Sequence, residues 1–379
     1  MANGITQIIE VKTRAQRKEF LRYPLRLYKN NPYFVPPLYG DEKTIFSKKN
    51  IYSRTCDSAF FLAVRDGKTV GRIQGIIQKQ YNENHNTRQV RFTRFDCEND
   101  LKTARLLFQA VEDWGKQQGM EEIVGPLGYS DLEREGLLIE GFDWLCTFEE
   151  QYNYDYYPAL VDACGFEKDV DWVEYRLFPV FHERKKLEEY AARALERNKV
   201  HRAGQELSKR AFIKKYKDGI FECIDECYKE LYGTVPFTPE MVKQMVAQFK
   251  LILNKDHIAV YCDEDEKVVA FGLCITGIGK ALQKSGGRLT LPALIRLLRC
   301  LKKPQSIDLG LVGILPRYRR SGLNAAIIMG LQDILRDSGV DYLETNLNLE
   351  TNISVQGQWK YFDHIQHKRR RSYIKKMQK

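Results

Sequence analysis

The chain has 379 residues, 43% of them apolar and 12% aromatic, and its 60 Lys and Arg against 50 Asp and Glu give a formal net charge of +10. This length exceeds one ordinary core and suits two domains, and the apolar share excludes a disordered chain. No run reaches the ~18–20 apolar residues a spanning helix needs, since Val268–Ile278 is broken by Gly272 and Gly277, and the first twenty residues lack the apolar centre of a secretory signal. A cytoplasmic protein without a membrane partner is the expectation.

In chain order, Arg14–Asn30 reads as helical with a break or kink at Pro24, where the i−4 hydrogen bond is lost. Phe60–Arg65 and Thr69–Gln78 flank Asp66-Gly67, a strong hairpin signal. Arg88–Asp96 is a strand, Leu101–Gln118 an amphipathic helix stopped by Gly119, Glu121–Gly125 a buried strand, Tyr156–Cys164 a short helix and Trp172–Phe178 a strand. A boundary is placed after Phe178–Phe181, dividing the chain into domains 1–180 and 181–379. The second half repeats the plan: helices Glu183–Asn198, Phe212–Tyr232 and Glu240–Leu253, then a hairpin of His257–Cys262 with Lys267–Ile278. Helix Leu289–Leu301, strand Ser306–Leu315, helix Asn324–Ser338, strand Tyr342–Asn348, helix Ile353–Phe362 and strand Arg369–Lys376 follow. Both halves are therefore of α/β (α+β mixed) class, each a mixed, mostly antiparallel twisted sheet flanked by helices.

The nine cysteines have no CxxC and no Cys/His array, and read as reduced thiols. Cys223 and Cys227 share a helix face but lack a second ligand pair, so they are assigned to the core and no metal site is expected. The basic run His367–Arg371 with Lys375, Lys376 and Lys379 is read as a solvated edge strand in preference to a nucleic-acid patch.

Chemistry concentrates in Ser306–Gly339. An apolar strand ends at Leu315-Pro316, a loop Arg317-Tyr-Arg-Arg-Ser-Gly-Leu-Asn324 follows, and a long helix begins. Loop amides and a helix N-terminus meet there, and their partial positive charge favours phosphate. Gly322 permits close backbone approach, and Arg317, Arg319 and Arg320 add full charges. A pyrophosphate suits this arrangement.

The order of these residues resembles motif A of the GNAT superfamily of acyl-CoA-dependent N-acyltransferases, Arg/Gln-x-x-Gly-x-Gly/Ala. Arg319 fills its first position and Gly322 its fourth, whereas Asn324 stands at the sixth, with Ala325 next. Asn352 matches the asparagine that opens the family's following helix and helps hold the pantetheine arm. Trp359 occupies the place of the usual general-acid tyrosine, with Tyr361 two residues on. The first half resembles a GNAT domain through FFLAVRDGKTVGRIQGII and Tyr156-Tyr157…Cys164-Gly165-Phe166, but Phe95–Asp100 enters its helix without a glycine loop and with three acids, so this half reads as a degenerate partner. Its Gly125–Asp143 stretch is either an acceptor pocket for a cationic amine or a structural loop. The whole chain resembles bacterial tandem-GNAT proteins.

The resemblance implies acetyl-CoA or another acyl-CoA as co-substrate, no metal, and a small-molecule or peptide amine as acceptor. It assigns the cofactor to Val312, Gly313, Ile314, Arg317, Arg319, Arg320, Ser321, Gly322, Leu323, Asn324 and Asn352, the backbone of Val312-Gly313-Ile314 receiving the thioester oxygen. Asp308, Glu344 and Glu350 are candidate bases for the amine, with Glu350 preferred, and Tyr361 is the candidate acid for the thiolate. Two other readings stay open: a non-catalytic ligand-binding or regulatory protein on a GNAT scaffold, and an aminoacyltransferase of the peptidoglycan-bridge type. Oligomerisation is left open, and nucleic acid is not the expected partner.

Overall fold

The computed structural model describes residues 4–47 and 50–378. The chain forms two compact units. The first contains 1–172, 279–295 and 368–379; the second contains 173–278 and 296–367. The units are thus not contiguous in sequence. The first limit falls inside a strand shortly before Phe178–Phe181, and two later segments join the first unit.

The first unit begins with β1 (Gln7–Glu10) and α1 (Arg14–Leu27). Thr13 opens α1 with a capping box, its hydroxyl taking the Gln16 amide while the Gln16 side chain reaches back to the Thr13 amide at 2.8 Å. Of the break or kink expected at Pro24, the break does not occur, since one helix runs through it. Proline leaves the carbonyl of Phe20 without its helical donor, and Arg72 supplies one, its Nη1 donating to that carbonyl at 2.9 Å. The elements that follow are α2 (Tyr39–Thr44), β2 (Cys56–Arg65), β3 (Lys68–Gln78), α3 (Lys79–His85), β4 (Gln89–Cys97), α4 (Leu101–Gln117), β5 (Glu122–Gly125), β6 (Leu137–Glu140), α5 (Tyr157–Ala163) and β7 (Glu167–Phe181). The β2–β3 hairpin turns at Asp66 and Gly67, both at positive φ (50° and 73°), as a two-residue hairpin turn requires. Strands β1-β2-β3-β4-β5 lie side by side, antiparallel except for the parallel pair β4–β5 that α4 connects. Ile73, Phe92, Phe95, Leu107, Phe108 and Val111 fill the core between sheet and α4.

The second unit continues with α6 (Arg184–Asn198), β8 (His201–Ala203), α7 (Lys209–Tyr228), α8 (Pro239–Phe249), β9 (Ile258–Cys262) and β10 (Val268–Thr276). Next in the chain come α9 (Gly279–Gln283), which belongs to the first unit, and α10 (Leu291–Lys302), whose residues up to Ile295 belong to the first unit and the rest to the second, then β11 (Ser306–Ile314), α11 (Leu323–Ser338), β12 (Tyr342–Thr345), β13 (Asn348–Leu349), α12 (Ile353–Gln356) and β14 (Phe362–Lys376), whose residues from Lys368 on belong to the first unit. Within this unit the strand order is β7-β12-β11-β10-β9-β8, again antiparallel except for one parallel pair, β11–β12, joined by α11. Both units therefore share one plan. Ile307, Ile327, Ile328, Leu331, Leu335 and Leu343 form the core between α11 and the sheet.

Two further sequence expectations change. Ile353–Phe362 is not one helix: α12 stops at Gln356, and a single 3-10 turn, Trp359–Tyr361, leads into β14. The end of the chain is not a solvated edge either. Its alternate side chains Lys368, Arg370 and Ser372 are buried, and β14 pairs with β5 through Tyr373–Lys376 and with β6 through Arg369–Arg371. Arg370 reaches the Gln151 carbonyl and lies 3.6 Å from Glu150, while Arg369 and Arg371 both bind Asp171. Burying Arg370 is tolerable because a carbonyl and a carboxylate are at hand.

Candidate functional site

The site begins where β11 leaves β12. The parallel pairing runs from Ser306↔Tyr342 to Leu309↔Thr345, and the Asn346 amide donating to the Leu309 carbonyl at 3.1 Å is its last bond. Beyond that point β11 follows β10 alone, as far as Ile314↔Ala270. The β10–β11 register jumps from Leu273↔Leu311 to Cys274↔Leu309, so Gly310 is an extra, bulged residue. The two parallel strands diverge here and leave one edge of Val312–Ile314 uncovered by a strand.

Val312 meets a side chain there. The Tyr228 hydroxyl, at the end of α7, accepts the Val312 N–H at 3.2 Å and donates to the Val312 carbonyl at 2.9 Å. Gly313 is hemmed in: a Cβ would come within 2.7 Å of Phe271 and 3.1 Å of the Cys227 sulfur. Cys223 and Cys227 lie sulfur to sulfur at 3.9 Å, one buried and one half-buried. The Cys227 thiol is held below its ordinary value by its bond to Cys223 and by nearby Arg319.

After Ile314 the chain turns through Pro316–Tyr318 and reaches α11 by way of Arg320 (φ 65°) and Gly322 (φ 92°), both left-handed. The amides of Tyr318, Arg319 and Ser321 bond back within the turn. Those of Arg320, Gly322, Leu323 and Asn324 have no hydrogen-bond partner among the described residues, and Gly322 offers no capping side chain. This is an open helix N-terminus of the kind that attracts anions. Buried Leu323 anchors it to the core. Arg319 donates to the Cys227 carbonyl at 3.2 Å, and exposed Arg317 lies 3.3 Å from Asp263. A fourth cation is invisible in the local sequence: Arg197 of α6 donates to the Ser321 carbonyl and lies 3.5 Å from where a Gly322 Cβ would be. The Ser321 hydroxyl is buried without a partner.

The candidate acid–base residues separate. Asp308 and Glu344 are register neighbours on β11 and β12, one residue before the strands part, and both are buried. Glu344 accepts from Arg176 at 3.1 Å and from buried His367 at 2.8 Å. Ligand-type atoms of Glu174, Glu344 and His367 lie within 4.8 Å of one another, a spacing that would admit a divalent cation as well as shared protons. Glu350 is half-buried in the loop after β13, with its carbonyl taken by Gln356 at 3.2 Å. Asn352 uses its side chain to cap α12, accepting from Val355 at 3.3 Å. Tyr361 packs against the core and its carbonyl accepts from His182. Trp359 is buried. Sequence reasoning thus named Glu344, missed His367 and Arg176 as its partners, and missed Tyr228.

In the first unit the equivalent helix start is closed. Asp100 caps α4 by accepting from Lys102 at 3.1 Å, and Arg65 pairs with Asp100 and Glu98. The glycine- and acid-rich stretch is largely internal. Arg94 grips Glu42 with two bonds (3.1 and 2.8 Å), which hold that carboxyl at about 2 despite burial. Burial pushes Glu135 well above the ordinary carboxylate range and Glu149 up to about 7.

No family model matches the chain. It is 26% identical over 370 residues to Protein YghO of Escherichia coli (strain K12), with 95% of this chain and 93% of that one covered. It is 24% identical over 358 residues to the Bacterial ceramide synthase of Caulobacter vibrioides (strain NA1000 / CB15N), with 92% of each covered. Among solved structures, a tandem GNAT protein from the clavulanic acid biosynthesis pathway, solved without AcCoA, aligns over 99% of both chains with a TM-score of 0.55 and 10% identity. At that identity the likeness concerns the fold alone, and the chain has the fold of a tandem GNAT protein. Among the described residues no helix is long and apolar enough to cross a membrane.

Proposed function

We propose that the chain is an acyl-CoA-dependent N-acyltransferase, with the cofactor on the second unit. One observation carries this reading: the amides of Arg320, Gly322, Leu323 and Asn324 stand without partners at the start of α11, beside Arg197, Arg319 and Arg320. These groups fit the pyrophosphate of acyl-CoA, and the uncovered edge of Val312–Ile314 fits its thioester. The acceptor amine attacks the thioester carbon, the C–N bond forms and the C–S bond breaks. We assign the amine proton to the Glu344–His367 pair in place of Glu350, because that pair is buried where the strands diverge. The Tyr228 hydroxyl, already bonded at Val312, is suited to donate to the carbonyl oxygen as charge develops, or to the departing thiolate, and is preferred to Tyr361 in that role. Holding the two reactants together supplies much of the rate.

The relative named a ceramide synthase supports N-acylation as the reaction class, ceramide being an N-acylated amino alcohol. A long-chain amino alcohol with a long-chain acyl-CoA is therefore the first pair to test, and the cytoplasm, where acyl-CoA is held, is the proposed compartment. One observation favours the non-catalytic alternative: the Val312 amide is already occupied by Tyr228. Calorimetry with CoA and free-thiol release from palmitoyl-CoA in the presence of sphinganine separate the readings. Saturable CoA binding with amine-dependent thiol release is expected. Binding without release from any amine in a broad panel would leave the scaffold reading, and absence of binding would remove both.

A further inference from the structure

Helix α10 presents an outer face that water does not favour. Leu289, just before it, and Leu291, Ile295 and Leu298 within it are 54%, 73%, 43% and 50% exposed, four of the ten large apolar side chains exposed among the described residues. Spacings of four and three set Leu291, Ile295 and Leu298 in one stripe. The opposite stripe is apolar too, since Ala293 and Leu297 are 1% exposed and face the protein. A helix apolar on both sides belongs to an interior or to an interface, yet this one is on the surface.

Its charge is one-sided. Between Glu266 and Asp308 the sequence contains no Asp or Glu, while Lys284, Arg288, Arg296, Arg299, Lys302 and Lys303 surround the helix. Arg299 and Lys302 are exposed and stand one turn beyond Ile295 and Leu298, so their stems extend the apolar stripe while their heads reach outward. Twelve residues give about 18 Å of helix, too short to cross a bilayer. Its length excludes spanning, and the apolar stripe with its cationic flank describes a helix that lies in a lipid–water interface.

We propose that α10 docks the protein on an anionic lipid surface, with Leu289, Leu291, Ile295 and Leu298 entering the headgroup region and Arg299, Lys302 and Lys303 meeting lipid phosphates. A second copy of the chain is the poorer occupant of this face, because it would bring the exposed cations Arg299, Lys302 and Lys303 opposite their own copies. The docking stands apart from the acyl-transfer reading. It bears on that reading in one way: a long-chain amine or acyl group resides in such a surface.

The test is flotation of the full chain with vesicles of phosphatidylglycerol and phosphatidylcholine, and with phosphatidylcholine alone, at low and high salt. The wild type should float with the anionic vesicles and less so as salt rises. Leu291→Ser/Leu298→Ser and Arg299→Gln/Lys302→Gln should each partition roughly tenfold more weakly, with unchanged melting and unchanged CoA calorimetry. Three outcomes would overturn the proposal: no flotation of the wild type, equal flotation of the variants, or a wild-type dimer in light scattering that the Leu variant dissolves without any vesicle binding. Loss of CoA binding with flotation intact would count against acyl transfer alone.

Discussion

The hydroxyl of Tyr228 bridges both backbone groups of Val312, taking its N–H at 3.2 Å and giving its own proton to the carbonyl at 2.9 Å. In the proposed reaction an incoming thioester oxygen seeks that same N–H. On that proposal, binding of acyl-CoA turns the hydroxyl or moves the phenol, which leaves it close to the reacting carbonyl. Tyr228→Phe removes the hydroxyl and keeps the ring. Turnover should fall roughly 10–100-fold while CoA binds as tightly as before, and stability should drop by about 1 kcal/mol with the loss of two modest hydrogen bonds. Thiol-release kinetics with calorimetry read both. Unchanged turnover would make Tyr228 a spacer that only fills the gap in the absence of cofactor.

The proposed cofactor loop makes a sharper demand at Gly322. Its φ of 92° excludes a β-branched residue without strain, and a Cβ would meet Ala194 at 3.2 Å. Gly322→Val should cost about 2 kcal/mol in the loop and tilt the amides of Leu323 and Asn324 away from a phosphate. CoA affinity should drop at least tenfold while the circular dichroism of the sheet and helices persists. Arg197→Ala, on a different helix, should weaken CoA binding severalfold at low salt and less at high salt. If both variants bind CoA as the wild type does, the pyrophosphate site lies elsewhere.

Much of this was legible from sequence because it is local. Asp66-Gly67 specifies its hairpin, Gly339 ends α11 in the left-handed region (φ 61°), and the strand–loop–helix order of Ser306–Ser338 needs no distant partner. The failures share one cause: the deciding partner is remote in the chain. Nothing near Pro24 announces that Arg72 will donate to the orphaned carbonyl. A run such as His367–Arg371 reads as solvated until Asp171, Glu150 and the Gln151 carbonyl, some 200 residues earlier, are brought to it. Likewise Glu344 looks like any strand acid until Arg176 and His367 close around it, and Tyr228 is one of 21 tyrosines until α7 sets it against β11.

Those partners around Glu344 lead to the next expectation. Glu344→Gln keeps the shape and the Arg176 contact but cannot take a proton, and His367→Gln removes its neighbour. Each should reduce kcat/KM by about 10²–10⁴-fold, whereas Glu350→Gln should stay within a factor of about three. Dialysis against a chelator should leave activity as it was. Activity lost to the chelator and restored by zinc or manganese would reassign Glu174, Glu344 and His367 as metal ligands, their atoms lying within 4.8 Å of one another.

Stability should carry a pH signature from the first unit. Burial raises the Glu149 carboxyl from an ordinary 4.5 to about 7, partly opposed by Arg134. A raised carboxyl means that the folded state holds its proton longer than the unfolded state. Below pH 4.5 both states are protonated and Glu149 costs nothing. From there to pH 7 the unfolded chain ionises first, so stability falls, and above pH 7 the penalty is constant. The full shift would correspond to about 3 kcal/mol; since Glu149 is half-buried, about 1–2 kcal/mol is expected after solvent screening. Glu149→Gln cannot ionise and should remove that slope. Urea melts at pH 4 and pH 8 check this: the variant should nearly match the wild type at the lower pH and exceed it by about 1–2 kcal/mol at the higher. Parallel curves for the two proteins would mean that Glu149 reaches water more freely than its packing implies.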